Sequence, residues 1–151
     1  MAQDIYGALR ADHERVRELL DAVLESREDI DQRFAELQLE YTAHERAEER
    51  AFYEPLLRPT ATREAVLEGF AEHHESDLVM RELASVPNVY EEHWHAQAET
   101  LKEMVEHHID EEEREIFPAA RQAMDEDWAV QARGRFEQAK TNLARTGRSV
   151  P

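Results

Sequence analysis

The chain has 151 residues, with 35 Asp and Glu against 18 Lys and Arg, no cysteine and a net charge of −17. A chain of this charge would repel nucleic acid, which is itself a polyanion, so nucleic acid is not expected as a partner. The absence of thiols excludes disulfides, thiolate metal sites and thiol catalysis. No stretch approaches the ~20 apolar residues of a membrane span, and residues 1–14 have neither the basic nor the apolar region of a signal peptide. We therefore expect a cytoplasmic protein with no membrane contact.

Apolar residues recur at helical spacing along almost the whole chain, and no alternating strand pattern competes with them. The pattern predicts helices over about residues 3–27, 30–57, 62–85, 90–124 and 126–145. We expect the second helix to end at RPTAT, residues 58–62, through proline geometry and a Thr cap, and the fourth to bend or break at Pro118.

Four long helices with short links predict an all-α, antiparallel up-down four-helix bundle. The segment 125–145 is expected to add a short C-terminal fifth helix that braces the bundle. Residues 1–145 would then form a single helical bundle domain, followed by a flexible tail at 146–151.

The two halves of the predicted bundle resemble each other. DHERVRELL at 12–20 aligns with EHHESDLVM at 72–80, and HERAEERAFYEPLL at 44–57 aligns with HIDEEEREIFPAAR at 108–121. Each half is therefore a helical hairpin that supplies one lone His and then His-x-x-x-Glu. Two facing hairpins would bring six candidate ligands to the middle of the bundle: His13, His44, Glu48, His73, His108 and Glu112.

The pattern His-x-x-x-acid alone is uninformative in so acidic a chain. Candidate ligands are therefore distinguished from surface residues by whether they lie on the apolar face of their helix. On the fourth helix, His108 and Glu112 continue the apolar stripe, whereas His107 and Glu111 are rotated outward. The same test places three further candidates on the apolar stripes of the first two helices: His13, His44 and Glu48.

Other polar residues near these positions leave alternatives open. On the third helix one apolar stripe includes His73 and another includes His74, and the repeat alignment favours His73. Tyr41 and Tyr53 are expected in the core or beside the ligands. Four acids are expected to form a solvated face, although the first of them could turn inward: Glu45, Glu49, Glu111 and Glu113.

Polar residues inside a helical bundle need compensation, because each costs roughly several kcal/mol when it is buried alone. One core His would usually be hydrogen-bonded, but four His and two Glu on four helices favour a metal over a metal-free polar network. Imidazole and carboxylate ligands without sulfur suit iron, manganese or zinc.

In these residues the chain resembles the hemerythrin-like family, the HHE cation-binding domains. The family pattern H…HxxxE…H…HxxxE is matched by the six candidates over about residues 4–121. The resemblance implies an antiparallel four-helix bundle that holds two iron ions, joined by an oxo or hydroxo bridge and by the two Glu. Oxygen-carrying members have a fifth His one turn after the third-helix ligand, where this chain has Asp77, which argues against reversible oxygen carriage. Asp77 or Glu45 could itself coordinate.

Two octahedral metals offer about twelve positions, of which the ligands and a shared oxygen fill all but about two. Open positions in an apolar core suit O2, NO or peroxide. The leading prediction is a non-haem di-iron protein that binds or senses O2, NO or iron, and that would need a partner protein for any signalling. The alternatives are a di-iron enzyme acting on peroxide, as a catalase or peroxidase does, or on nitric oxide, and a metal-free helical interaction module.

Overall fold

The computed structural model describes residues 3–26, 28–85 and 91–146, and these ranges contain helices and no strand. The helices are within two residues of the predicted bounds, and the all-α bundle is confirmed. We number them α1 to α5: α1, Ile5–Glu25; α2, Ile30–Glu48 continued by the π-helical Glu49–Tyr53 and the short turn Glu54–Leu56; α3, Thr60–Ser85; α4, Glu92–Glu111 continued by the π-helical Glu112–Ile116 and by Phe117–Ala123; α5, Glu126–Thr146.

Polar side chains define two of the helix ends. At the start of α1, the Asp4 carboxylate accepts a hydrogen bond from the Gly7 amide at 2.9 Å, which satisfies an amide that has no partner inside the helix. A Thr cap was expected after the RPTAT break, but α3 already begins at Thr60. Thr62 instead donates to the Leu56 carbonyl at 2.6 Å, so it closes the end of α2.

Both α2 and α4 widen into a π-helical turn where the candidate Glu ligands lie. In α2 the turn begins directly after Glu48, and in α4 it begins at Glu112. Each turn ends two residues before a proline, Pro55 or Pro118, which cannot donate the hydrogen bond that a regular helix requires. Pro118 does not end α4, and the irregularity expected there lies one turn earlier.

The four helices of the bundle pair as two hairpins, α1 with α2 and α3 with α4, and α5 lies across α1 and α2. Two apolar clusters fill the two ends of the interior. One contains Phe52, Phe117 and Phe136, and the other contains Leu37 and Trp94. The buried His and Glu side chains lie between these clusters, because along each of α1 to α4 they fall where residues of one cluster give way to residues of the other.

The fifth helix is longer than a small brace. α5 has 21 residues, the same length as α1, and its buried face consists of Ala129, Ala132, Phe136 and Ala139. Within the described ranges, none of the helices is both long enough and apolar enough to cross a membrane.

Candidate metal centre

The six candidate ligands from the sequence meet between the two apolar clusters. Each is at most 5% exposed: His13, His44, Glu48, His73, His108 and Glu112. Five of them form two groups whose ligand atoms lie within 4.8 Å of one another, with Glu48 in both groups, and Glu112 belongs to neither group. One group adds His13 and His44 to Glu48, and the other adds His73 and His108. On α3, His74 is exposed, so His73 alone of that pair points inward.

The two Glu face the ring nitrogens of all four His. An Oε1 atom of Glu48 lies 3.1 Å from the Nε2 atom of His73 and 3.7 Å from that of His44. Glu112 lies 3.1 Å from the Nε2 atom of His13 and 3.5 Å from that of His108. Each Glu therefore contacts one His of its own helix and one His of the opposite hairpin.

The other ring nitrogen of every candidate His is held by a carboxylate. His13 Nδ1 lies 2.6 Å from Glu113, and His73 Nδ1 lies 2.8 Å from Glu49. His44 Nδ1 lies 2.9 Å from Asp12, and His108 Nδ1 lies 2.6 Å from Glu72. A carboxylate at Nδ1 fixes the ring with its proton on that side, so that Nε2 presents a lone pair to the interior.

The sequence interpretation missed these four outer carboxylates. It placed Glu49 and Glu113 on a solvated face, but their side chains are only 15% and 21% exposed because they reach across to the opposite hairpin. A sequence signal did exist. An acid directly precedes each lone His, as Asp12 and Glu72 do, and a second acid directly follows each Glu of the His-x-x-x-Glu pairs.

Glu45 was also expected to be solvated unless it turned inward, and the structure buries it completely. Its carboxylate accepts a hydrogen bond from Ser76 at 3.3 Å and lies 3.5 Å from Arg46. Burial, and then the nearby Asp77, raise the pKa of Glu45 well above its usual range. Asp77 itself forms an ion pair with Arg46 and belongs to neither ligand group. An ion pair therefore occupies the position at which oxygen-carrying family members have their fifth His.

Tyr53 brings a hydroxyl group into the centre. The hydroxyl donates to Glu112 and lies 3.3 Å from His108 Nε2, and the ring stacks on His73 with centroids 5.2 Å apart. Gly69 makes room for it, because a Cβ atom there would lie 2.8 Å from the Tyr53 hydroxyl oxygen. Burial raises the pKa of Tyr53 well above its usual range, so the group remains a proton donor.

Several ligand atoms have no hydrogen-bond partner among the described residues: His13 Nε2, His73 Nε2, both oxygens of Glu48 and Glu112 Oε1. The contacts of His13 Nε2 with Glu112 and of His73 Nε2 with Glu48, at 3.1 Å each, therefore lack hydrogen-bond geometry. Buried polar atoms in this state are costly, and a cation that accepts lone pairs from all of them removes the cost. The donor set thus fits a pair of borderline or hard metal ions.

The pKa shifts of Glu48 and His108 reflect the negative charge that is buried in the centre. Burial and the Glu112 carboxylate raise the pKa of Glu48 well above its usual range. Burial alone would lower the pKa of His108, but hydrogen bonds to Glu112 and Glu72 raise it to about 9. Both shifts have the same origin, the carboxylates that are buried side by side, and metal ions could offset that negative charge.

The family assignment follows from comparison with known proteins. The model of the Hemerythrin HHE cation binding domain matches residues 4–120, so the chain belongs to that family. A crystal structure of a Hemerythrin HHE cation binding domain-containing protein from Mycobacterium kansasii has a TM-score of 0.79 and 24% identity. The match covers 96% of this chain and 92% of that one, and it shows the shared helical fold. No curated protein matches the chain.

Proposed function

We propose that the protein is a cytoplasmic, non-haem di-iron protein that binds or senses a small molecule, O2 or NO, or iron itself. The proposed ligands are four imidazoles and two carboxylates: His13, His44, Glu48, His73, His108 and Glu112. Iron is proposed because the hemerythrin-like resemblance implies it, together with an oxo or hydroxo bridge. Zinc and manganese suit the same nitrogen and oxygen donors.

One observation carries the proposal. Four imidazoles are each held by a carboxylate at Nδ1 and aim Nε2 at two buried Glu, several of whose oxygens have no hydrogen-bond partner among the described residues. A metal-free polar network would pair these atoms with donors. Neutral imidazoles preset by outer carboxylates around a shared carboxylate are the arrangement that a dinuclear site requires.

The surroundings of the centre select for small ligands. Phe117 stacks on His13 with ring centroids 6.3 Å apart, and the apolar clusters close both ends of the polar band. Bound iron supplies open coordination positions and reversible one-electron chemistry. The protein residues hold the imidazoles in one orientation and keep all six proposed ligands at most 5% exposed, which favours a ligand small enough to enter a packed interior.

A second candidate function, reduction or breakdown of peroxide or nitric oxide, is favoured by Tyr53. Its hydroxyl lies at Glu112 and 3.3 Å from His108 Nε2 and keeps its proton. Cleavage of an O–O or N–O bond consumes protons, and a buried hydroxyl beside the ligands can deliver one. A protein that only binds its ligand does not require such a donor.

Metal analysis of protein purified without chelators tests the proposal. We expect about two metal ions per chain, predominantly iron, because one ligand group serves each ion. A fully folded chain without metal would contradict the proposal and favour the interaction module instead.

Spectroscopy and turnover separate the two functions. Oxo-to-iron absorption that shifts on addition of azide or nitric oxide would support an open di-iron centre. Sustained oxygen release from peroxide that Tyr53→Phe abolishes, with iron retained, would identify the enzyme. A binding protein would show the spectral shift without turnover.

A further inference from the structure

Three of the four outer carboxylates form an ion pair with a Lys or Arg side chain. Lys140 of α5 lies 2.8 Å from Asp12, and Arg10 lies 2.8 Å from Glu113. Glu49 is 3.1 Å from Arg46. These bases offset the charge that each carboxylate would otherwise bring to the edge of the centre.

The fourth outer carboxylate, Glu72, has a different environment. One of its oxygens lies 2.6 Å from His108 Nδ1, but no Lys or Arg among the described residues lies within ion-pair distance of it. His107 and Glu111 of α4 lie there instead, and the three residues place ligand atoms within 4.8 Å of one another. His107 Nε2 is 3.4 Å from Glu111 Oε1.

The internal repeat shows that this group is particular to the second hairpin. Its counterparts in the first hairpin are Ala43 and Ala47, at the positions that align with His107 and Glu111. There, Lys140 supplies the positive charge. Asp12 of the first hairpin therefore has the ammonium group of Lys140 beside it. The equivalent Glu72 of the second hairpin has an imidazole and a second carboxylate beside it.

We propose that Glu72, His107 and Glu111 form a third, surface site for a divalent cation such as Zn2+, Mn2+ or Fe2+. One imidazole nitrogen and two carboxylates are a donor set that these ions prefer, and water would complete the shell. His107 and Glu111 are four residues apart on α4 and therefore share a face, while Glu72 reaches them from α3.

The local charge and exposure agree with an exchangeable ion. Two carboxylates lie beside a single imidazole in a chain whose net charge is −17, so this cluster attracts cations. The side chain of His107 is 66% exposed, and those of Glu111 and Glu72 are 29% and 21% exposed, so an ion can reach all three from solvent. The site goes beyond the proposed function, because it does not require that the buried centre holds iron.

Calorimetric titration of the purified full-length chain with Zn2+ tests the site, with iron content measured before and after the titration. We expect wild type to bind one zinc ion at this site beyond those that the centre takes up. His107→Ala should not bind this additional zinc ion, or should bind it with lower affinity. The decrease in affinity should exceed the roughly 10- to 100-fold that loss of an outer partner costs.

His74→Ala is the matched control, because His74 is also exposed and lies on α3. It should keep the additional equivalent, and Glu111→Gln should lose it as His107→Ala does. If His107→Ala and wild type bind the same amount of zinc with equal affinity, the contact between His107 and Glu111 is an ordinary surface ion pair and the proposal is overturned. Failure of the buried centre would appear separately, as a low iron content in wild type.

Discussion

The two helical hairpins repeat one pattern of His and Glu residues but support it differently. In the first, Asp12 behind His44 is neutralised by Lys140, and Phe136 packs edge-on against the His44 ring at 5.9 Å. Both contacts come from α5, which lies across α1 and α2. In the second, Glu72 behind His108 faces solvent together with His107 and Glu111.

The aromatic residues at the ends of the π-helical turns differ in the same way. Tyr53 and Phe117 occupy equivalent positions of the repeat, and each stacks on the lone His of the opposite hairpin. Only Tyr53 carries a hydroxyl, which it donates to Glu112, whereas neither oxygen of Glu48 has a hydrogen-bond partner among the described residues. A symmetric set of candidate metal ligands is thus held in an asymmetric environment, with a hydroxyl donor on the Glu112 side.

The largest effect is expected from Glu48→Gln, because Glu48 serves both ligand groups. Loss of the shared carboxylate should weaken metal binding at both positions, and the metal content should fall with it. The loss of affinity should exceed the roughly 10- to 100-fold that a supporting partner contributes. Elemental analysis and thermal melting measure it. Glu36→Gln, an exposed change on the same helix, should alter neither. Equal metal contents in the two variants would show that the centre lies elsewhere.

Tyr53→Phe makes the second hairpin's Glu112 resemble Glu48 and so removes one asymmetry. A hydrogen bond to a buried carboxylate is lost, so we expect a stability decrease of about 1.5–3 kcal/mol, measured by urea denaturation. Tyr6→Phe is the control, since the structure gives the Tyr6 hydroxyl no hydrogen bond within the described residues, and it should change stability by less than about 0.5 kcal/mol. A Tyr53 variant as stable as the Tyr6 variant would contradict the assigned contact.

Gly69→Ala tests whether the Tyr53 ring depends on a close approach to α3. The added methyl would lie 2.8 Å from the ring, so the buried side chain must shift, at a cost of about 1–3 kcal/mol. Gly134→Ala on α5 meets no atom within 4 Å and should stabilise the chain by about 0.5–1 kcal/mol, because alanine favours a helix. Denaturation curves of both variants should move in opposite directions, and a shift in the same direction would refute the packing argument.

The smallest effect is expected where Lys140 of α5 contacts Asp12 of the first hairpin. Lys140→Met keeps an apolar stem but leaves Asp12 without its cation, so stability should fall by about 1 kcal/mol and metal should exchange faster with a chelator. Lys102→Met removes a more exposed ion pair, with Asp21 at 2.7 Å, and should cost less than about 0.5 kcal/mol. Unchanged metal exchange in the Lys140 variant would mean that α5 does not support the centre.

Much of this arrangement could be predicted from the sequence. Helical periodicity and the internal repeat predict the bundle and its two hairpins, and the apolar stripe separates His108 and Glu112 from their outward neighbours His107 and Glu111. These are properties of a single helix, because a face is defined by spacing along one segment.

The residues that the sequence interpretation misplaced are those whose partners lie on another helix. Glu49 and Glu113 are rotated away from the apolar stripe, yet they reach His73 and His13 of the opposite hairpin. Glu45 is buried because Ser76 of α3 lies opposite it. Helical spacing cannot report such pairs, since it contains no information about which helices become neighbours or where a π-helical turn rotates the chain.

Local sequence by itself determined which six side chains interrupt the apolar faces, because burial of a helix face depends on a period of about 3.6 residues. The tertiary structure alone decided how those side chains are held: by carboxylates from neighbouring helices, by Tyr53 through the gap at Gly69, and by Lys140 from α5. Contacts between helices depend on packing distance and crossing geometry, which arise only when the hairpins come together.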